Sequence, residues 1–291
     1  MKKHLLYILA ACLILLSGCS VDNNAQIVAT TKPVYEFTMR LCEGADLTVA
    51  QLISENVSCL HDYTLQVGQM KTLEKAQLVI ISGAGFEDFL NDAIPADRRI
   101  IDCSAGIELL HPGAAHTHEQ EHEHDHESDP HIWLDISNAQ IMIANICNGL
   151  SVAYPQFAGI FSKNAKALLQ ELDGLKEYAE ESLQSLSCRN LLTFHDGFSY
   201  MANSFDLHIL SAIEEESGSE ASAKELISMI SLVSHNHLPA IFTEVNGAAS
   251  AATIIEAETG AKIYSLDMGM SERNYFEAMK HNIDTLKEAL Q

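Results

Sequence analysis

The sequence predicts an α/β fold of two lobes, each a mainly parallel sheet flanked by helices, joined by one long linker helix. Three observations predict it. In the first half of the 291-residue chain, short apolar runs alternate with helical patterns. In the second half the alternation repeats. Between the two lies a stretch of helical periodicity. Strand followed by helix, repeated, is the pattern of a parallel sheet with helical crossovers, and two such blocks imply two lobes.

The chain begins outside that fold. MKKH supplies a positive start and LLYILAACLILL a short apolar run. A spanning helix needs about 20 apolar residues, so residues 1–18 read as a signal peptide. Leu16-Ser17-Gly18-Cys19 resembles the bacterial lipobox, which would make Cys19 the lipidated first residue. The polar SVDNNAQ that follows makes residues 19–26 a tether.

Residues 27–152 are the expected first lobe. IVATT (27–31), LTVAQLI (47–53), QLVIISG (77–83) and RIIDCS (99–104) are its strands. A helix is expected from about Pro33, because proline suits the first helical position. Residues 136–152 read as one helix, broken at Tyr154-Pro155. Inside this lobe, residues 111–128 have no apolar periodicity and cannot bury a face, so they are expected to form a loop.

Residues 153–187 are the expected linker helix. Phe157, Phe161, Leu168, Leu172, Leu175, Leu183 and Leu186 recur at mostly helical spacing from about Pro155. Such a helix would be about 45 Å long, with Gly174 as its weak point. Residues 188–291 are the second lobe. Its strands are NLLTFHD (190–196), HILSAIE (208–214), PAIFTE (239–244) and KIYSLD (262–267), and its helices are 197–205, 220–236, 247–258 and 272–290.

Composition excludes some functions. Lys and Arg total 17 against 40 Asp and Glu, a formal charge of -23. Nucleic-acid binding needs a cationic surface, so it is not expected. Of seven cysteines, Cys12 and Cys19 belong to the leader. The odd, widely spaced remainder (Cys42, Cys59, Cys103, Cys147, Cys188) is no disulfide framework.

Histidines carry the chemistry. Within HTHEQEHEHDHESD, His116, His118, His122, His124 and His126 are interleaved with acids. Neutral imidazole is a common ligand for divalent transition metals. A loop of this kind suits weak, exchanging capture, because ordering it costs about 1–2 kcal/mol per residue. His131 differs: Pro130 restricts the chain before it, and Ile132-Trp133-Leu134 can anchor it after. His61 follows the second strand, His195 follows NLLTF, and Asp267 ends KIYSLD. Each alone reads as structural. In open α/β sheets, however, ligands bind beyond the carboxyl ends of the strands. A cleft between lobes would gather two of these residues from each half.

At these residues the chain is similar to the zinc and manganese solute-binding lipoproteins of bacterial ABC transporters, the cluster A-I family. DPHIWLD (129–135) resembles the family's second metal segment. TFHDGFSYMANSFDL (193–207) resembles its third, and YSLDMGMSERNYFEAMKHNIDTLKEAL its C-terminal block. The resemblance implies metal ligation by His61, His131, His195 and Asp267 in the interlobe cleft. Met268 stands where the family usually has proline, so water or Glu214 remain alternatives to Asp267. Three imidazoles and a carboxylate suit tetrahedral zinc; Mn2+ or Fe2+ is the alternative cargo. The resemblance further implies a permease and its ATPase as partners, a monomeric chain, and a lipid-anchored position on the outer side of the cell membrane. A zinc hydrolase would need a general base, and Glu244 is the one tempting acid. A surface adhesin would need a recognition module, and no segment reads as one.

Overall fold

The computed structural model describes residues 25–54, 63–110, 128–212, 222–245, 247 and 249–291. The leader, residues 19–24 of the tether with Cys19, His61, the five loop histidines and Glu214 lie outside the described residues.

Within the first lobe the strands are β1 (Ile27–Ala29), β2 (Val49–Gln51), β3 (Leu78–Ile81) and β4 (Arg99–Asp102). All pair in parallel in the order β2-β1-β3-β4. The second lobe repeats this with β5 (Asn190–Thr193), β6 (His208–Ala212), β7 (Ala240–Glu244) and β8 (Lys262–Leu266), in the parallel order β6-β5-β7-β8. Each sheet therefore changes winding direction between its first and third strands. The carboxyl ends of β1 and β3, and of β5 and β7, flank such switch points, where adjacent crossovers leave a crevice. The β strands are shorter than the apolar runs that predicted them; IVATT, QLVIISG, NLLTFHD and KIYSLD continue past their strands into the loops that follow.

The helices are α1 (Lys32–Leu41), α2 (Val67–Lys75), α3 (Ile136–Ala153), α4 (Ala158–Leu183), α5 (Ser199–Ser204), α6 (Ala223–His235), α7 (Ser250–Thr259) and α8 (Tyr275–Leu290). Several starts follow from local chemistry. Asp135 accepts from Ser137 N at the head of α3. Ser222 with Glu225, and Asn274 with Glu277, form capping boxes at α6 and α8.

The long helix differs from expectation at its start. Pro155–Phe157 is a separate 3-10 turn, and α4 proper has 26 residues, about 39 Å at the usual rise. Pro155 forces Tyr154 out of helical geometry, so the chain turns before the helix begins. At the other end Arg189 donates to the carbonyls of Leu183 and Phe205, satisfying a terminal acceptor. The buried face of α4 runs Phe161, Ala165, Leu168, Leu172, Leu175, Ala179 and Leu183. Its first half is tied to the first lobe by Asn164 on Leu41 O and Arg40 on Glu171. Its second half meets α8, where Tyr178 donates to Asp284.

One apolar cluster runs through both lobes. It joins Ile27, Val79 and Trp133 of the first to Phe242, Leu266 and Tyr275 of the second. The Phe37 and Tyr275 rings meet edge to face at 4.8 Å. Tyr275 OH donates to Trp133 O at 2.8 Å, and Trp133 Nε1 donates to Met268 O at 2.7 Å. The lobes are thus packed together, not merely strung on a linker. A second, smaller cluster (Leu192, Val233, Ile241, Ile255 among others) fills the outer part of the second lobe.

Candidate metal centre

Two of the expected ligands meet. His131 precedes the 3-10 turn Ile132–Leu134, and His195 lies two residues beyond β5. Their Nε2 atoms face each other at 3.4 Å. Two nitrogens bound to one tetrahedral zinc at about 2.0–2.1 Å would lie about 3.3–3.4 Å apart. The pair is already set at the span that such an ion requires.

Each ring is held from behind by a carboxylate. His131 Nδ1 lies 2.8 Å from Asp129 Oδ1, which also accepts from His131 N at 2.9 Å. His195 Nδ1 lies 3.1 Å from Glu244 Oε1. Each carboxylate accepts a hydrogen bond from Nδ1–H, which leaves the Nε2 lone pair pointing at the partner ring. Two lone pairs face to face repel unless a cation or a proton sits between them. Burial would raise the pKa of Asp129, but the hydrogen bonds and charge of His131 outweigh it, so Asp129 is held below the ordinary carboxylate range.

His131 is rigid for reasons written into its neighbours. It is 2% exposed. The Phe86 and Trp133 rings each stand edge-on to it at 5.5 Å. Tyr200 OH donates to Asp129 O and accepts from Leu110 N, which pins the segment from α5. Phe86 is aimed by the Gly83-Ala84-Gly85 turn, in which all three residues have positive φ, 83°, 55° and 83°. At His195 space matters instead. A Cβ on Gly197 would lie 2.5 Å from His195 Cδ2 and 2.6 Å from Met268 Cε, so only glycine lets the ring and Met268 close up.

Asp267 is buried at the end of β8, 1% exposed. Its Oδ1 accepts from Gly269 N at 2.9 Å, and its Oδ2 from Ser271 Oγ at 2.5 Å and Arg273 at 3.2 Å. Among the described residues no third His, Cys, Asp or Glu joins the two imidazoles in a metal-holding group. His61 and Glu214 fall outside those residues.

Asp129 and Glu244, the carboxylates behind the two rings, are the site neighbours that sequence reasoning missed. Asp129 stood inside the DPHIWLD motif without a role, and its position two before His131 was the available signal. Glu244 was weighed only as a general base, but the structure sets it on His195 Nδ1. Its signal was the switch point: β7 lies beside β5 with Phe242 opposite Thr193, so Glu244, two residues on, comes level with His195. Glu87 was also missed. It is buried at the other switch point, accepting from Thr30 Oγ1, Ser82 N and Gly83 N.

Two parallel four-stranded lobes, a bridging helix and paired, carboxylate-backed imidazoles between the lobes define a metal-binding protein of the solute-receptor type. The comparisons agree. Residues 27–289 match the family described as zinc-uptake complex component A, periplasmic, and the chain belongs to it. It is a family of metal-uptake components, not of enzymes. Over 299 residues the chain is 28% identical to a protein of Treponema pallidum named as a candidate metal-binding protein, covering 97% of this chain and 94% of that one. It is also 28% identical to the zinc-binding lipoprotein AdcA of Streptococcus pneumoniae, covering 99% of this chain. It spans 61% of that longer protein. The solved Zn(II)-bound ZnuA-like domain of S. pneumoniae AdcA superposes with a TM-score of 0.78 at 26% identity, over 92% of this chain and 99% of that domain.

Proposed function

We propose that this chain captures Zn2+ outside the cell membrane and hands it to the permease of an ABC uptake system, itself driven by an ATPase. The observation that supports this most directly is the 3.4 Å separation of His131 Nε2 and His195 Nε2, each ring backed by a carboxylate. In this reading His61 and Asp267 complete the ligand set. A set with three imidazoles favours zinc over Mn2+, which suits oxygen donors, and tetrahedral closure of the set favours zinc over Fe2+. The zinc-binding names of the relatives point the same way.

The rest of the reading extends from this site. Residues 27–152 and 188–291 act as lobes about the 153–187 linker, and the chain works as a monomer. Cys19 carries the lipid anchor, as the lipoprotein name of the pneumococcal relative suggests. His116, His118, His122, His124 and His126 serve as weak auxiliary sites.

Metal analysis and chelator-competition titration of the protein lacking residues 1–18 test the proposal. One tight zinc equivalent is expected. His131→Ala should abolish it, and deletion of residues 112–128 should remove only weaker zinc. Wild-type affinity in His131→Ala would end the assignment; loss of the tight site with the loop would make the histidines one cooperative site.

A further inference from the structure

The carboxylate of Asp267 is engaged by donors of its own loop, Gly269, Ser271 and Arg273. Its backbone cannot move to change that: Asp267 N donates to Asn282 Oδ1 at 2.7 Å, and Asn282 Nδ2 donates back to Asp267 O at 2.8 Å. Only its side-chain partners can be exchanged. Gly269 N is a fixed donor at 2.9 Å and Ser271 Oγ a buried, neutral one at 2.5 Å. Arg273 is different. It is the charged partner, and its side chain is 40% exposed while that of Asp267 is 1% exposed. A guanidinium so placed can swing into water at little cost.

The backbone of Arg273 has a separate job. Its carbonyl accepts from Lys32 Nζ at 2.6 Å, and two residues on, Tyr275 N donates to Glu36 Oε2 at 2.6 Å. Lys32 and Glu36 also pair with each other along α1. The loop is therefore latched to the first lobe by backbone groups, and replacing the Arg273 side chain leaves the latch intact.

A metal ion and a guanidinium both draw on the negative charge of one buried carboxylate. We propose that Arg273 is a positioning residue that competes with the metal ion for Asp267. In the metal-free protein it neutralises a carboxylate that burial would otherwise penalise. In the loaded protein it weakens the hold of Asp267 on the ion, so that the ion can be given up. The inference rests on Asp267 being a ligand, as proposed above.

Arg273→Gln tests it, because the variant removes the charge and keeps a hydrogen-bonding side chain. Three quantities are measured: metal-free melting temperature, zinc affinity by chelator competition, and the rate of zinc release into excess chelator. The metal-free variant should melt lower than wild type. Its zinc affinity should rise by about tenfold, about 1.4 kcal/mol, the order expected for removing one charge beside a carboxylate near the surface, and release should slow correspondingly. In an Asp267→Asn background the same change should leave affinity within about twofold, since coupled residues are non-additive. Unchanged or weaker zinc binding in Arg273→Gln, with Asp267→Asn itself weakened, overturns the role of Arg273 alone. Wild-type affinity in Asp267→Asn overturns the ligand reading beneath it.

Discussion

Removing the carboxylate behind His131 should damage metal binding without touching a ligand. Asp129 Oδ1 accepts two hydrogen bonds, from His131 N at 2.9 Å and from His131 Nδ1 at 2.8 Å, in a site where both residues are almost fully buried. Asp129→Asn keeps an oxygen there but removes the charge that favours the Nδ1–H tautomer. Groups behind metal-bound histidines are typically worth about 10–100-fold in affinity. The asparagine variant belongs at the lower end, about 1.4 kcal/mol, because the acceptor remains. Asp129→Ala removes the acceptor as well. It leaves two buried donors unpaired, at about 1–3 kcal/mol each. Its zinc affinity should fall about 100-fold, and the metal-free protein should melt lower too. Chelator competition at neutral pH and thermal melts with and without zinc measure both effects. Equal zinc affinity in wild type, Asp129→Asn and Asp129→Ala would refute the argument that Asp129 acts through His131.

Gly197→Ala places a methyl group against His195 and Met268 Cε; zinc affinity should drop by at least about tenfold while the secondary structure seen by circular dichroism stays unchanged. Glu87 reads out in pH. Burial raises its pKa from 4.5 to about 7, against the lowering effect of its hydrogen bonds from Thr30, Ser82 and Gly83. A raised folded-state value means a stability contribution fully present below about pH 4.5 and lost as pH rises through about 7, worth about 3 kcal/mol. Denaturant titrations should show that slope in wild type and a flatter profile in Glu87→Gln. Gly174 lies within α4 with open space where a Cβ would go, so Gly174→Ala should stabilise the protein by about 0.5–1 kcal/mol, seen as a higher melting temperature.

Much of the fold was legible because parallel strands are buried on both faces. Runs such as LVII (78–81) and AIF (240–242) are apolar without alternation, and the helices between them have their own period. The helix α4 was legible from one apolar face, except at its first turn, where Pro155 imposed a 3-10 start. The helix α2 was less legible: VGQMKTLEK buries only Gln69, Thr72 and Leu73, too few apolar positions to set a helical period. His131 could be singled out as rigid because Pro130 and Trp133 are its chain neighbours.

The sequence by itself determined the α/β class, the strand runs, the acidic surface and the residue types able to bind metal, since these depend on local composition and periodicity. Tertiary structure alone decided which of them meet. Parallel crossovers carry each chain segment across its lobe before the next strand begins, so residues far apart in sequence become neighbours only at the strand ends. His131 and His195 are 64 residues apart and touch at 3.4 Å. Glu244 becomes the support of His195 because β7 pairs with β5. Asp267 is bonded within its own loop by Arg273, which is latched to α1 across 241 residues. No periodicity records such contacts, because they are set by the order in which strands pack and by the apolar core that presses the two lobes together.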